Sequence, residues 1–94
     1  MGTAECKELT VKYAQELMKK YYYKRDSSRG LYATFTWFIE EVGELAEAIL
    51  HNNKSAIEEE VADVLAWLLS LANILDIDVE TAFKKKYMNP EPPL

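Results

Sequence analysis

The amino-acid sequence predicts an all-α protein, a four-helix chain that forms a helical bundle. Apolar residues recur at helical spacing in four segments, no stretch alternates apolar and polar residues as a half-buried strand does, and the glycines and prolines lie away from strand-like runs. With 94 residues, the chain is expected to be a single domain over 1–94. A chain this short buries only about 60% of its unfolded surface, so we expect oligomerisation to complete the core.

The first helix is predicted from about Ala4 to Tyr23, and the segment KRDSSRGLYAT then breaks its pattern with Ser, Asp and Gly. One stripe of this helix carries residues spaced four apart: Leu9, Tyr13, Leu17 and Tyr21. The second helix is predicted from about Thr34 to His51. Its inner face is expected to consist of six apolar residues: Phe35, Phe38, Ile39, Val42, Leu45 and Ile49.

The third helix is predicted to begin at Ser55, because Ser55 and Glu58 have the spacing of a capping box, and to end near Leu75. Its second half, LAWLLSLANIL, is apolar nearly all round, which is typical of a central helix or an oligomer interface. Asp78 is the expected N-cap of a short fourth helix. Residues from about 88 to 94 include three prolines and are expected to form a loose tail.

Composition excludes several classes of protein. The net charge of −5 argues against a general nucleic-acid or anionic-membrane binder, so neither is an expected partner. The single cysteine, Cys6, cannot form an intramolecular disulfide and fits a reducing compartment. No signal peptide and no run of about 18 apolar residues is visible, so a cytoplasmic location is expected.

Two acidic segments, FIEEVGELAEAI and IEEEVADVLAWLL, interrupt the apolar surface of the second and third helices. At about 100° per residue, Glu41 lies roughly 90° from the apolar centre of its helix, on a stripe with Trp37, Glu44 and Ala48. Glu60 lies roughly 90° from the apolar centre of the next helix, with Asp63 and Trp67 along the same side. Each helix therefore carries an acid pair at i, i+3, with a tryptophan one turn away.

A short turn makes these two helices antiparallel neighbours, so the four carboxylates can converge across the cleft between them. Without a cation they would repel one another and raise their own pKa values. A hard divalent cation such as Mg²⁺ removes that cost because it prefers oxygen ligands. Wheel geometry alone does not choose between a metal site and a solvated acidic flank.

The segment EEVGE, followed after 15 residues by EVAD, resembles the E-E-x-x-E…E-x-x-D signature of MazG-type nucleoside triphosphate pyrophosphohydrolases. This family belongs to the all-α NTP pyrophosphatase superfamily. The resemblance extends over roughly residues 20–87, from RDSSRGLYATFTWFIEEVGELAEAI to EEEVADVLAWLLSLANILDIDVETAF.

The resemblance implies hydrolysis of a nucleoside triphosphate between its α- and β-phosphates, yielding monophosphate and pyrophosphate. It implies that Mg²⁺, or alternatively Mn²⁺, is held by four ligands: Glu41, Glu44, Glu60 and Asp63. Glu40 matches the first Glu of the motif and could orient or deprotonate the attacking water, although its wheel position points away from the core. Glu40 and Glu41 are therefore the catalytic candidates.

Other residues are candidates for substrate binding. Trp37 could stack on a base or simply pack against the neighbouring helix. Arg25 and Arg29 resemble family positions that hold phosphates or the nucleotide, and a solvated loop is the alternative. Lys85 and Asn89 match the family's C-terminal Lys and Asn pattern. A ferritin-like di-iron centre is excluded because neither acid pair has a histidine at the required spacing.

Two alternatives to a general nucleotide pyrophosphohydrolase stay open. One is a non-catalytic helical module that dimerises or docks a partner through its acidic and aromatic flank. The other is a dedicated phosphoribosyl-ATP or dUTP-type pyrophosphohydrolase. The expected assembly of this protein is a homodimer or a dimer of dimers, with helices two and three pairing across a two-fold axis.

Overall fold

The chain is all-α, as predicted. A computed structural model describes residues 8–88, and that part of the chain contains four helices and no strand. The helices are α1 (Val11–Arg29), α2 (Leu31–Leu50), α3 (Lys54–Ile74) and α4 (Val79–Tyr87). Helix α3 packs against both α2 and α1, while α4 packs on α1. Because α1 begins at Val11, the prediction of a helix from about Ala4 is wrong for residues 8–10. Residues 4–7, the tail residues 89–94 and Asn89 lie outside the described residues. Among the described helices, none is long and apolar enough to cross a bilayer.

Helix α1 ends six residues later than predicted, because the segment expected to break it is helical as far as Arg29. Arg25 and Arg29 form ion pairs with Asp26 inside this segment. The break falls instead at Gly30, whose φ of 98° is a conformation that favours glycine. The N–H group of Gly30 donates to the carbonyl oxygen of Asp26 (3.0 Å) and closes the helix. At the other end, Thr10 caps the helix by accepting from the Tyr13 N–H group.

Helix α2 begins at Leu31, three residues before the predicted start, so a single residue joins α1 to α2. Thr34, the predicted first residue, is fully buried against α1. Its hydroxyl donates to the carbonyl oxygen of Asp26 (3.4 Å), one of the last carbonyls of α1. The α1–α2 junction is thus fixed by the backbone conformation of Gly30 and by the Thr34 hydroxyl, a second donor to the Asp26 carbonyl oxygen.

The predicted capping box at Ser55 is wrong, and Asn53 caps α3 instead. The Asn53 side-chain oxygen accepts from the Ala56 N–H group (3.1 Å), so the helix begins at Lys54. Asn and Ser are equally good N-caps, and the turn through Asn52, with φ of 53°, places Asn53 first. Asp78 caps α4, as predicted, by accepting from the Thr81 N–H group (3.0 Å).

The core lies around the second half of α3. Four consecutive residues, Leu69, Ser70, Leu71 and Ala72, are buried, which confirms that this helix is central. In the described part of the chain, the buried apolar residues are Leu69, Leu71 and Ala72 of this run and Ala48 of α2. Leu65, Leu68 and Leu75 of the same apolar segment stay more than two-fifths exposed. The described part of one chain therefore leaves much of this apolar surface uncovered.

The predicted inner face of α2 is largely wrong. Of its six residues, Phe38 and Leu45 are half-buried, and the other four are exposed: Phe35, Ile39, Val42 and Ile49. The side that meets α3 and α1 instead follows Thr34, Phe38, Glu41, Leu45 and Ala48. The apolar arc of α2 is broader than its neighbours within one chain can cover, and hydrophobic periodicity does not say which part they take. As a result, Glu41 faces the interior of the chain.

A polar clamp holds α4 and the turn before it. Gln15 of α1 is buried, and its amide nitrogen donates to the Ile77 carbonyl oxygen (2.7 Å) and to the Asn73 side-chain oxygen (3.0 Å). Its amide oxygen accepts from the Val79 N–H group (2.9 Å), the first residue of α4. Because the side-chain amide of Gln15 is bonded through both its nitrogen and its oxygen, this cluster is a structural one.

Candidate metal centre

Three carboxylates from α2 and α3 converge in the cleft between these helices. Glu41, Glu60 and Asp63 each offer one oxygen, and these oxygens lie within 4.8 Å of one another. Glu41 and Glu60 are half-buried, whereas Asp63 is exposed. In the described part of the chain, none of the three forms an ion pair with a lysine, an arginine or a histidine. We refer to these three residues as the acidic cluster.

The stacked tryptophans explain why the acids meet. The Trp37 and Trp67 rings stack with centroids 6.3 Å apart and planes 20° apart. Since α2 and α3 run antiparallel, four residues forward from Trp37 correspond to four residues back from Trp67. This register places Glu41 level with Asp63, and the next step places Glu44 level with Glu60.

The electrostatics of the acidic cluster are unfavourable without a cation. Burial raises the pKa of Glu41 above its ordinary value of 4.5, and the charges of neighbouring carboxylates raise it further. Burial also raises the pKa of Glu60, and the charges of Glu44 and Asp63 add to that effect. A hydrogen bond between the two glutamates raises the pKa of Glu41 and partly offsets the rise for Glu60, as expected if Glu41 is the donor.

One oxygen of the cluster has no partner. Glu60 Oε1 is buried and accepts no hydrogen bond from the described residues. A buried carboxylate oxygen without a donor is costly, and a bound cation is one of the few groups that would satisfy it. Three convergent carboxylates, one of which has an unpartnered oxygen, fit the preference of Mg²⁺ or Mn²⁺ for hard ligands.

The remaining predicted acids lie at the edge of this cluster or outside it. Glu44 is exposed and is not one of the three convergent carboxylates, but it raises the pKa of both Glu41 and Glu60 and lines one cleft with Glu60. Glu40 is exposed and lies outside the cluster, as its wheel position indicates. The structure thus brings together three of the four predicted metal ligands, with the fourth beside them.

The predicted substrate residues are spread more widely. Trp37 is 48% exposed beside the acidic cluster, although one face of its ring is taken by Trp67. The Arg29 guanidinium lies 5.2 Å from the Trp67 ring centroid. Lys85 is exposed on α4, which packs on α1, so the structure does not place this lysine beside the carboxylates.

Sequence reasoning missed Asp26, the most buried charged residue of the described chain. Its exposed fraction is 1%, and it holds both Arg25 and Arg29. The signal that was available is an Asp with an arginine at i+3, because that spacing places the two charges side by side on a helix. The prediction that this segment is a loop concealed that spacing.

The arrangement of acids on two antiparallel helices has a counterpart among known domains. The model of the MazG nucleotide pyrophosphohydrolase domain matches residues 29–92, more than half of the chain. This chain belongs to the MazG family. The match spans α2, α3 and α4 and includes the acidic cluster and both tryptophans, while Asp26 lies just before it. No curated protein matches the chain.

Proposed function

We propose that this MazG domain hydrolyses nucleoside triphosphates, or their deoxy forms, to nucleoside monophosphate and pyrophosphate with the aid of a divalent cation. The observation that supports this proposal most is the convergence of Glu41, Glu60 and Asp63, together with the buried, unpartnered oxygen of Glu60. The family to which the chain belongs is that of the MazG nucleotide pyrophosphohydrolase domain, which also supports the proposal.

The acidic cluster would hold the cation, with Glu44 as a further ligand at its edge. Mg²⁺ is the expected ion and Mn²⁺ the alternative, since both take oxygen ligands. When bound, such an ion neutralises phosphate charge and polarises the phosphoryl group that water attacks.

Two glutamates are suited to accept a proton from the attacking water. Glu40 precedes Glu41 in the sequence and is exposed to solvent, outside the acidic cluster. Glu41 belongs to the acidic cluster, so it would accept the proton beside the cation. Comparing Glu40→Gln with Glu41→Gln separates the two roles, because only a ligand variant should also weaken metal binding.

The nucleotide would lie beside the acidic cluster. The exposed half of Trp37 is available for stacking on a base, and Arg29 lies near enough to Trp67 to bound the same region. Lys85 and Asn89 are further candidates for phosphate contacts. Because α4 packs on α1 and the acidic cluster lies between α2 and α3, Lys85 is better placed to contact a nucleotide bound to a second chain. The base itself is left open, so phosphoribosyl-ATP and dUTP-type nucleotides belong in any substrate panel.

A homodimer, or a dimer of dimers, would complete the core. The exposed apolar residues of α2 face away from the rest of the chain. Beside them, a recess of about 410 Å³ has an almost purely apolar lining drawn from α2, α3, α4 and the turn before α4. Soluble monomers rarely expose apolar patches larger than a few hundred Å², so a second copy of the chain is the simplest cover.

The function is tested by turnover. Purified protein is incubated with each common ribo- and deoxyribonucleoside triphosphate, with modified bases and with phosphoribosyl-ATP, with and without Mg²⁺. Equal amounts of monophosphate and pyrophosphate are expected for at least one substrate. Release of diphosphate and orthophosphate, or no turnover across the panel, would contradict the proposal.

A non-catalytic docking module is the second candidate, and the uncovered apolar face of α2 is the observation that favours it. Isothermal titration calorimetry distinguishes it from the enzyme. A docking module should show no saturable, Mg²⁺-dependent binding of a non-hydrolysable nucleotide analogue.

A further inference from the structure

Asp26 is a buried carboxylate with an unusual set of partners. Its Oδ1 atom accepts from Arg25 Nε (3.1 Å), from Arg25 Nη2 (3.0 Å) and from Arg29 Nη1 (3.4 Å). Its Oδ2 atom is buried and receives no hydrogen bond from any described residue. One oxygen therefore binds two guanidinium groups while the other binds none.

This arrangement is a poor way to stabilise a helix end. A buried ion pair recovers its desolvation cost only when its geometry is good and its remaining polar atoms are satisfied. Here one oxygen is unsatisfied, and a carboxylate near the C-terminal end of α1 also opposes the helix dipole. Because folding alone does not favour such a residue, its effect on the two arginines is the more informative property.

Asp26 holds both arginines beside the Trp67 ring. The Arg25 guanidinium lies 4.4 Å from the Tyr22 ring centroid and 5.8 Å from that of Trp67. Arg29 lies over the same Trp67 ring. Contacts of this kind fix the planes of the guanidinium groups as well as their positions.

The position of Arg25 connects this arrangement to the acidic cluster. Arg25, Trp67 and Asp63 line one cleft of about 170 Å³, so a guanidinium and a carboxylate of the cluster share its wall. Arg25 nevertheless pairs with Asp26 and, within the described chain, not with Asp63. Its Nη1 atom forms no hydrogen bond to a described residue, and half of its side chain is exposed. Arg25 thus presents an uncommitted cationic donor in the cleft.

We propose that Asp26 is a positioning residue that holds Arg25 beside Trp67, so that Arg25 binds a phosphate group in the cleft shared with Asp63. This inference rests on the proposed function, because it supplies the phosphate contact next to the acidic cluster. Without Asp26, the Arg25 guanidinium would be free to turn toward Asp63, where an ion pair would occupy both the donor and the carboxylate.

The test compares Asp26→Asn, Arg25→Gln and the double variant with Asp76→Asn, an exposed Asp in the α3–α4 turn, as control. Asn keeps the shape of the side chain and the Oδ1 acceptor but removes the charge. Inorganic triphosphate is titrated calorimetrically in the presence of Mg²⁺, and KM and kcat are measured for the best nucleotide. We expect binding to weaken and KM to rise about tenfold in both single variants, as for loss of one charge-assisted hydrogen bond. We also expect kcat to change less than KM.

The double variant separates positioning from a purely structural role. If Asp26 acts through Arg25, Asp26→Asn adds little to Arg25→Gln, and Asp76→Asn behaves as the wild type. Additive losses, or an unchanged KM in Asp26→Asn, would overturn the inference. If Asp26→Asn does not fold, Arg25→Gln alone tests the proposal. A triphosphate affinity of Arg25→Gln equal to that of the wild type would contradict it.

These outcomes are distinct from failure of the proposed function. The wild type could show no turnover while it binds triphosphate more tightly than the variants do. That result would support the phosphate contact of Arg25 and contradict the proposed hydrolase activity. Absence of triphosphate binding by an active wild-type protein would overturn the role of Arg25 and leave the hydrolase activity intact.

Discussion

Trp37 and Trp67 stack across the α2–α3 cleft with ring centroids 6.3 Å apart, one helical turn from Glu41 and Asp63 respectively. The stack therefore fixes the register in which the acid pairs of the two helices face one another. Sequence wheels placed each tryptophan beside an acid pair, but the contact between the two rings follows only from the packing of α2 on α3.

Loss of this stack should destabilise the chain. Trp67 is half-buried and also lies under two guanidinium groups, so we expect Trp67→Ala to lower the free energy of unfolding by about 2 to 3 kcal/mol. Tyr21→Ala, which removes a ring that is 63% exposed, should cost less than about 0.5 kcal/mol. Urea unfolding measures both variants, and equal costs would argue against a special role for the stack.

The helices and the presence of an acidic site could be predicted from sequence because both depend on local periodicity. Their exact limits could not, because they depend on competition between similar signals. Asn53 and Ser55 are both good N-caps, and the turn through Asn52 decides between them. Ser27 and Ser28 indicated a loop, but the segment stays helical until Gly30, whose positive φ ends α1.

The rotation of α2 was also beyond sequence reasoning. Its apolar arc is wide enough for several orientations, and only the shape of α1 and α3 decides that Glu41 faces inward while Val42 stays exposed. Asp26 was missed for a related reason, since its burial depends on the one-residue connection between α1 and α2.

The metal-free protein should lose stability as the pH rises from about 4.5 through the raised pKa values of Glu41 and Glu60. The folded state binds these protons more tightly than the unfolded state, so deprotonation favours unfolding. We therefore expect a lower free energy of unfolding at about pH 7 than at about pH 5, measured with urea and a chelator. Asp78 does not interfere with this measurement. Its pKa is lowered from 3.8, so the stability that its charge contributes is lost only as the pH falls toward and below that value.

Glu41→Gln supplies the matched control for this pH effect. Glu41→Gln removes one of the two groups whose pKa is raised, so it should reduce the pH dependence of the free energy of unfolding and leave the part that comes from Glu60. If the dependence is the same in the variant and the wild type, Glu41 is not one of its sources.

Neutralising a cluster residue should abolish turnover without harming the fold. We expect Glu41→Gln or Asp63→Asn to lower kcat/KM by on the order of a hundredfold or more, since even outer partners of metal ligands contribute 10- to 100-fold. Stability without metal should be unchanged or slightly higher, because the substitution removes repulsion. A variant that keeps most of its activity would count heavily against the site.

The exposed apolar surface should be covered by a second chain. Light scattering at micromolar concentration is expected to give the mass of two or four chains. Leu68→Glu places a charge in the apolar recess and should shift the protein toward monomers, whereas Glu58→Gln, on the same helix, should not. A wild-type mass near that of one chain would defeat this prediction.

The central claim, that the converging carboxylates bind a divalent cation, is tested most directly by Mn²⁺ titration. Electron paramagnetic resonance detects the free ion in the presence of a non-hydrolysable nucleotide analogue, and Mg²⁺ is then added as competitor. We predict saturable binding to the wild type and to Glu58→Gln, displaced by Mg²⁺ and weakened at least about tenfold in Glu41→Gln, Glu60→Gln and Asp63→Asn. Equal binding by all five proteins, or no saturable binding by the wild type, would contradict the claim.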